Sequence, residues 1–313
     1  MIYRIAFCGL GSIGSRHIRN LCSLLKKRND DFVIDLYRSE IKPLPEDIKP
    51  LVSREYLFSD SIINQYDIVF VTNPTSLHYV TILKFIGYTK SFFIEKPIFD
   101  VTDVDESIFE ELKGIDCYVA CPLRYNPVLQ YVKESIDLNM VSAVRAISSS
   151  YLPDWRPGQD YRNCYSAHKS MGGGVGIDLI HEWDYLTSFF GFPEKCYNIQ
   201  DKISNLEIDS EDIAVYIAKI GNKVIELHLD YFGRRTMRKL ELYMPEDTII
   251  CDLISSTIDY LVSGKHISFK RDRDEVQTLE LKHFLDIISH KTDNDSTPEH
   301  GYKVLKLAKG ELI

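Results

Sequence analysis

Over the first 120 residues, short apolar runs alternate with segments of helical spacing. Ile5-Ala6-Phe7-Cys8 is an apolar run closed by Gly9, and residues 13–26 place Ile13, Ile18, Leu21, Leu24 and Leu25 on one helical face, with His17 partly on it. Strand-like runs follow at 32–37, at 67–72 (stopped by Asn73-Pro74), at 91–94 (stopped by Glu95-Lys96-Pro97) and at 118–121. Residues 76–87 read as a helix, with Leu77, Val80, Ile82, Leu83 and Phe85 apolar. Near-continuous apolar strands separated by helices imply a parallel sheet covered on both faces. The first half is therefore predicted to be a doubly wound α/β layer.

The pattern changes after Pro122. In 224–231, Ile225, Leu227, Leu229 and Tyr231 alternate with Val224, Glu226, His228 and Asp230, and in 239–244 Leu240, Leu242 and Met244 alternate with Lys239, Glu241 and Tyr243. Such alternation predicts an α+β domain with a large, mostly antiparallel sheet that has one face in the core and one facing solvent or a partner. Helices are predicted at 127–137, 177–190 and 279–289 and from Thr297-Pro298 onward. Residues 151–174 have little periodicity and many polar and aromatic side chains, as a functional loop does. The expected domains are 1–121 and 122–313, with the last helix returning to the first.

Composition narrows the function class. The 313 residues carry 44% apolar and 27% charged side chains, as ordinary globular chains do. The formal net charge is −9, which argues against a general binder of nucleic acid or anionic membrane. Seven cysteines, odd in number and without a CxxC pair, suit a reduced, cytoplasmic chain rather than a disulfide framework. The N-terminus runs directly into a strand-like segment, so no signal peptide is expected. No apolar run approaches the ~20 residues that span a bilayer.

Gly9-Leu10-Gly11-Ser12-Ile13-Gly14 follows the first strand and opens the first helix. Such a turn brings backbone close to a pyrophosphate, and the helix start at Ser12 and Ile13 offers N–H groups and partial positive charge. Asp35 lies at the usual distance for a ribose-binding acid, yet the apolar pattern predicts that the strand runs on through it, which leaves Tyr37, Arg38 and Ser39 at the ribose. Arginine and serine there suit a 2′-phosphate, so NADP is favoured over NAD.

Taken with Glu95-Lys96-Pro97 and Gly172-Gly173-Gly174, this turn makes the sequence resemble the glucose–fructose oxidoreductase / inositol dehydrogenase / MocA (Gfo/Idh/MocA) family along essentially its whole length. The resemblance implies a Rossmann domain, a second domain whose sheet often forms a homodimer or homotetramer, and NAD(P)-dependent oxidation or reduction of a sugar, sugar-nucleotide or polyol hydroxyl. Thr72-Asn73-Pro74-Thr75 and His78 look like the family's loop beside the cofactor. Glu95-Lys96-Pro97 looks like the motif whose lysine reaches the reacting hydroxyl, and Arg124-Tyr125-Asn126-Pro127 like the start of the second domain. Residues 172–184 resemble the segment holding the family's catalytic Asp and His, with Asp178 three positions before His181 where many members have four.

Hydride transfer from a carbinol needs a base for the hydroxyl proton and a cation or donor for the developing alkoxide. His181 is the expected base and Lys96 the expected stabiliser, with Asp178 either orienting the imidazole or capping a helix. On a helix, spacings of three and four both keep Asp178 and His181 on neighbouring faces. Arg124, Tyr125, Asp154, Trp155, Arg156, Tyr161, Arg162, Tyr165 and His168 are substrate candidates, because arginine forks suit phosphate or carboxylate and aromatic faces suit sugar rings. No metal-ligand spacing occurs. Two alternatives stand beside the dehydrogenase: a redox-assisted lyase or glycosidase, which shows no net NADH change, and a non-catalytic dinucleotide sensor.

Overall fold

The computed structural model describes residues 2–270 and 275–311, so residue 1 and residues 312–313, the outer ends of the two predicted domains, lie outside the described residues. The chain divides into two compact units. The first holds residues up to Pro122 together with 273–302, and the second holds 123–272 and the residues from Lys303 onward.

In the first unit the order is β1 (Ile2–Cys8), α1 (Ser12–Lys27), β2 (Asp31–Arg38), β3 (Arg54–Leu57), β4 (Ile68–Val71), α2 (His78–Phe85), β5 (Ser91–Ile94), α3 (Ser107–Glu111) and β6 (Asp116–Val119). The strands form a six-stranded parallel sheet ordered β3-β2-β1-β4-β5-β6. Strand β1 is central, and Ile5, Ala6, Phe7 and Cys8 are fully buried, which is why the run shows no polar alternation. Phe7, Phe70 and Phe93 from β1, β4 and β5 stack in a row, with centroids 4.3 and 4.9 Å apart. Chain order reverses beside β1, so the carboxyl ends of β1 and β4 open the crevice where ligands bind in such sheets. Strand β3, Arg-Glu-Tyr-Leu, is a short polar edge strand, which explains its absence from the apolar pattern. Helix α2 begins only at His78, because Thr75–Leu77 forms a tighter 3-10 turn.

In the second unit follow α4 (Pro127–Ser135), β7 (Ala143–Tyr151), α5 (Val175–Asp178), α6 (His181–Phe190), β8 (Lys195–Asp201), β9 (Ile213–Ile220), β10 (Lys223–Asp230), β11 (Phe232–Tyr243), β12 (Thr248–Asp252), β13 (Thr257–Tyr260) and β14 (His266–Ser268). The eight strands order β14-β13-β12-β11-β7-β10-β9-β8, and all neighbours are antiparallel except the β7–β10 pair. Ile225, Leu227, Leu229, Leu240 and Leu242 are buried, as the alternation requires. The helix predicted over 177–190 is broken. At Ile180 and Glu182 the backbone bonds shorten to residues three back, Ile177 and Leu179, and Leu179 leaves helical geometry. Asp178 thus ends one short helix and His181 begins the next, which removes the shared helix face expected for the pair. The predicted loop 151–174 contains four 3-10 turns.

The chain closes with α7 (Glu275–Ile287) and α8 (Pro298–Ala308). Helix α7 packs on α1 and sets the Phe284 ring against Phe93 and Tyr118 at 5.3 and 5.9 Å. Val119 and Ser296 exchange backbone and side-chain bonds at 2.9 and 2.7 Å, which ties the returning segment to β6. Further along α8, the Ala308 carbonyl accepts from the Tyr216 hydroxyl at 2.5 Å within the second unit. Phe284 is fully buried among aromatic rings, so Phe284→Ala is expected to cost the first unit about 3 kcal/mol in urea unfolding. A loss under about 1 kcal/mol would show that α7 does not complete that core.

Candidate functional site

The turn after β1 is held from three sides. Gly9 donates its N–H to the Tyr37 carbonyl at 2.9 Å, and its own carbonyl accepts from the Thr72 hydroxyl at 2.9 Å. Gly9 has φ +99°, and a Cβ there would stand 2.6 Å from the Asn73 Cα. Both conditions demand glycine. Gly14 packs as closely, with its Cβ position 2.8 Å from the Gly9 carbonyl oxygen. Gly11 differs: nothing lies within 4 Å of its Cβ position. It caps α1 with no side-chain hydrogen bond and no acidic residue in the first turn. The N–H groups of that turn, around Ser12 and Ile13, have no intrahelical acceptor and carry the positive end of the helix dipole. An open, uncapped helix start of this kind fits a phosphate.

Beside the turn lies a cleft of about 250 Å³ lined by Gly9, Leu10, Tyr37, Arg38, Ser39, Glu40, Phe58, Asn73, Pro74 and Leu77. Tyr37 meets it only as wall. Its side chain is fully buried, stacked on Tyr56 and bonded to the Tyr66 hydroxyl at 2.9 Å, and burial pushes its pKa up to about 12. Asp35 points inward too, accepting from the Tyr66 hydroxyl and the Asn64 amide at 3.0 and 3.1 Å. Arg38 is engaged: Nη1 donates to Glu55 Oε2 at 2.7 Å and to the Lys42 carbonyl at 2.8 Å. Asn73 donates from Nδ2 to Thr81, and among the described residues its buried Oδ1 has no partner, as a wall waiting for a ligand donor would. Thr75 starts the following 3-10 turn and is absent from the lining. His78, expected at the cofactor, lies buried beneath it. Its ring bridges the Asn73 carbonyl at 3.1 Å and the carbonyls of Pro97 and Ile98 at 3.1 and 3.2 Å. Burial lowers its pKa against those carbonyl contacts. Glu40 and Phe58 join the lining without having stood out in the sequence, since an isolated residue in a loop carries no periodic signal.

Lys96 follows β5 on the same carboxyl edge of the sheet, and the Lys96–Pro97 peptide is cis. Its N–H donates to Glu95 Oε2 at 3.3 Å, and Glu95 Oε1 lies 2.5 Å from His17 Nε2 on α1. Burial works to raise the Glu95 pKa, but the His17 hydrogen bond and the charges of His17 and Lys96 outweigh it and hold the carboxyl below its ordinary range. The phosphate-facing helix and the lysine strand are thus joined through one buried contact, which the sequence hid because His17 reads as part of an apolar face.

In the second unit, α6 is fixed by two arginine forks. Arg124 is buried and grips Asp184 through Nε and Nη2 at 2.8 and 2.7 Å, so it serves as a brace rather than the open substrate contact expected. Arg238 grips the fully buried Glu182 at 2.5 and 3.1 Å. His181, half-buried, sits at the helix start, immediately before these anchors. Asp178 accepts from the Tyr231 hydroxyl at 2.6 Å, and burial, helped by the Asp178 charge and hydrogen bond, raises the Tyr165 pKa. Trp155 packs edge-on against Tyr231 and donates to Ser150, and Arg156 lies over the Tyr165 ring. Trp155, Arg156, Tyr165 and Asp178 are therefore brought together. Asp154 is exposed and Tyr125 half-buried. Tyr161 accepts from the Glu207 N–H, and Arg162 pairs with Asp160 and Glu207. His168 Nε2 meets the Arg162 carbonyl at 2.7 Å.

Two residues here were missed. Tyr231 looked like an inward core position of an alternating strand. Glu211 carried no motif, yet its carboxylate fills the space of a Gly174 Cβ, at a residue with φ +141°. Burial raises the Glu211 pKa, and nearby Asp178 adds to the effect.

The seven cysteines are thiols, and no group of three or more His, Cys, Asp and Glu side chains among the described residues is arranged to hold a metal. No helix among the described residues is long and apolar enough to cross a membrane.

The Glu95 linkage carries a pH signature. A carboxyl whose folded pKa is depressed adds stability above its unfolded value, and that stability is lost as pH falls through the folded value. Glu95→Gln is expected to lower stability at pH 7 by about 1–3 kcal/mol. The gap to the unsubstituted chain should begin to narrow below the ordinary glutamate pKa of 4.5 and close as pH falls through the lower folded value. Thermal melts at pH 7 and pH 4 with an equal gap at both would contradict the ionised pairing.

Residues 3–114 match the model of the oxidoreductase family with the NAD-binding Rossmann fold, GFO_IDH_MocA. An inositol 2-dehydrogenase/D-chiro-inositol 3-dehydrogenase of Lacticaseibacillus casei is 25% identical over 159 residues, which are 49% of this chain and 45% of that relative. The match thus spans under half the relative's length. Among solved structures, UDP-N-acetylglucosamine 3-dehydrogenase GnnA from Acidithiobacillus ferrooxidans superposes with TM-score 0.79 at 17% identity, covering 99% of this chain and 96% of that one. Levoglucosan dehydrogenase in complex with NADH and levoglucosan gives TM-score 0.81 at 14% identity, covering 99% and 96%. At those identities the likeness is one of fold. Over residues 3–114 the chain is thus similar to the NAD-binding Rossmann domain of the Gfo/Idh/MocA oxidoreductases.

Proposed function

We propose that this chain is a dehydrogenase or reductase that moves a hydride between a nicotinamide dinucleotide and a CH–OH carbon of a sugar, sugar nucleotide or polyol. The observation that carries the reading is the uncapped N-terminus of α1, open at Gly11, beside a cleft at the carboxyl ends of β1, β2 and β4, with Lys96 following the adjacent β5. Gly11, Ser12, Ile13 and Gly14 would hold the pyrophosphate, Ser39 and Glu40 the ribose edge, and Asn73 and Pro74 the opposite wall. The bound dinucleotide supplies the hydride donor or acceptor. Lys96 holds the reacting oxygen through its ammonium group and stabilises the alkoxide, and His181 takes or returns the hydroxyl proton. Asp178, held by Tyr231, positions a substrate hydroxyl or the imidazole. Trp155 and Tyr165 offer flat faces to a hydroxylated ring, and Arg156 a fork to an anionic group.

Of the two cofactors we favour NAD. The preference for NADP rested on Arg38 and Ser39, but Arg38 is already engaged by Glu55, and the Glu40 carboxylate in the same wall is paired with Lys42. The reduced thiols favour a cytoplasmic setting. We also propose that a second copy of the chain covers the outer sheet face, where Tyr197 and Ile199 are each 71% exposed and Ile217, opposite Tyr197, is 54% exposed. A contiguous apolar patch of that kind marks an interface.

Two measurements test these readings. Lys96→Ala is expected to cut turnover by about 10²–10³-fold on whichever UDP-sugar, anhydrosugar or polyol is active, followed by nicotinamide absorbance. NADH affinity should stay within about threefold, and undiminished turnover would remove Lys96 from the chemistry. In light scattering at micromolar concentration the chain is expected to be a dimer or tetramer that Ile217→Lys dissociates. A monomeric unsubstituted chain would refute the interface.

A further inference from the structure

We propose that Glu55 is the residue that sets cofactor preference, by occupying and neutralising the Arg38 guanidinium. The inference rests on the dinucleotide reading of the cleft and deepens it. At the end of β2, a ribose 2′ substituent is read by whichever side chain leaves the strand there. In this chain that position carries Arg38, a planar fork suited to phosphate. Yet Arg38 is only 13% exposed, and its Nη1 is shared between Glu55 Oε2 at 2.7 Å and the Lys42 carbonyl at 2.8 Å.

Glu55 reaches it from β3, the edge strand whose one neighbour in the sheet is β2. Glu40 adds a second carboxylate in the cleft wall. Glu55 thus faces the guanidinium, while the Glu40 carboxylate pairs with Lys42 in the same wall. A 2′-phosphate, carrying about −1.5 to −2 charges at neutral pH, would have to displace Glu55 or bind beside it against repulsion. A neutral 2′-hydroxyl meets no such opposition and accepts or donates hydrogen bonds with the groups already present. The arginine thus looks like a phosphate reader in the sequence but is disarmed by its neighbour on the next strand. Glu55 touches the reader rather than the cofactor, so its role is positional.

The test is dinucleotide affinity, measured by titration of NADH and NADPH fluorescence on the full chain, with no substrate needed. The unsubstituted chain is expected to bind NADH about tenfold more tightly than NADPH. Glu55→Gln keeps length and hydrogen-bonding capacity while removing the charge. It should tighten NADPH binding by about tenfold and leave NADH binding within about threefold. Glu55→Ala should move the ratio in the same direction. The double substitution Glu55→Gln with Arg38→Ala should lose the gain, because the released guanidinium is its source. Melting temperatures report that each variant is folded. If NADH binds and the NADPH-to-NADH ratio is unchanged in both Glu55 variants, or the gain survives without Arg38, the proposal is overturned while the dinucleotide reading stands. If the unsubstituted chain binds neither dinucleotide, both are overturned.

Discussion

Between β1 and α1 the backbone passes so close to Asn73 that only a residue without a side chain fits, and it does so at a positive φ that only glycine adopts at little cost. That contact at Gly9 joins the ends of β1 and β4. The Thr72 hydroxyl and the Tyr37 carbonyl lock it from either side. The helix that follows is therefore aimed with its uncapped end along the crevice. Asn73 in turn is tied to α2 through Thr81, and His78 ties the same loop to the backbone after Lys96. On α1 itself, His17 reaches Glu95 beside that lysine. The open start of α1 and the lysine strand thus belong to one connected scaffold.

The second unit uses charge for the same purpose. Helix α6 carries carboxylates at Glu182 and Asp184, and each is gripped by an arginine from a different element. Breaking a buried ion pair leaves an uncompensated charge, which costs several kcal/mol, so the helix has one orientation. His181 at its start inherits that orientation. Asp178, the last residue of α5, accepts from the Tyr231 hydroxyl just before the chain breaks into α6.

Much of this was legible in the residues. Ile5 to Cys8 showed an unbroken apolar run because both faces of β1 are covered, and Leu227 and Leu229 alternated with polar residues because only one face of β10 is. The glycine turn was readable because backbone geometry leaves few choices there. What escaped the sequence were contacts between residues far apart in the chain. Arg38 looked available for a phosphate until Glu55, on an edge strand too short and polar to register, was placed beside it. Arg124 looked like a substrate fork until Asp184 was found in its grip. His78 carried a family motif, but its partners are backbone carbonyls, which no sequence pattern marks. The unbroken helix expected over 177–190 failed because apolar spacing alone does not register a switch from four-back to three-back bonding.

The turn locked at Gly9 would present the start of α1 to a dinucleotide. Amide hydrogen exchange of the full chain with and without saturating NADH tests it most directly. Added protection is expected at the amides of Gly11 to Ser15 and along the Asn73 loop, with little change at β14 or α4. Exchange at Gly11 to Ser15 that NADH leaves unaltered would contradict it.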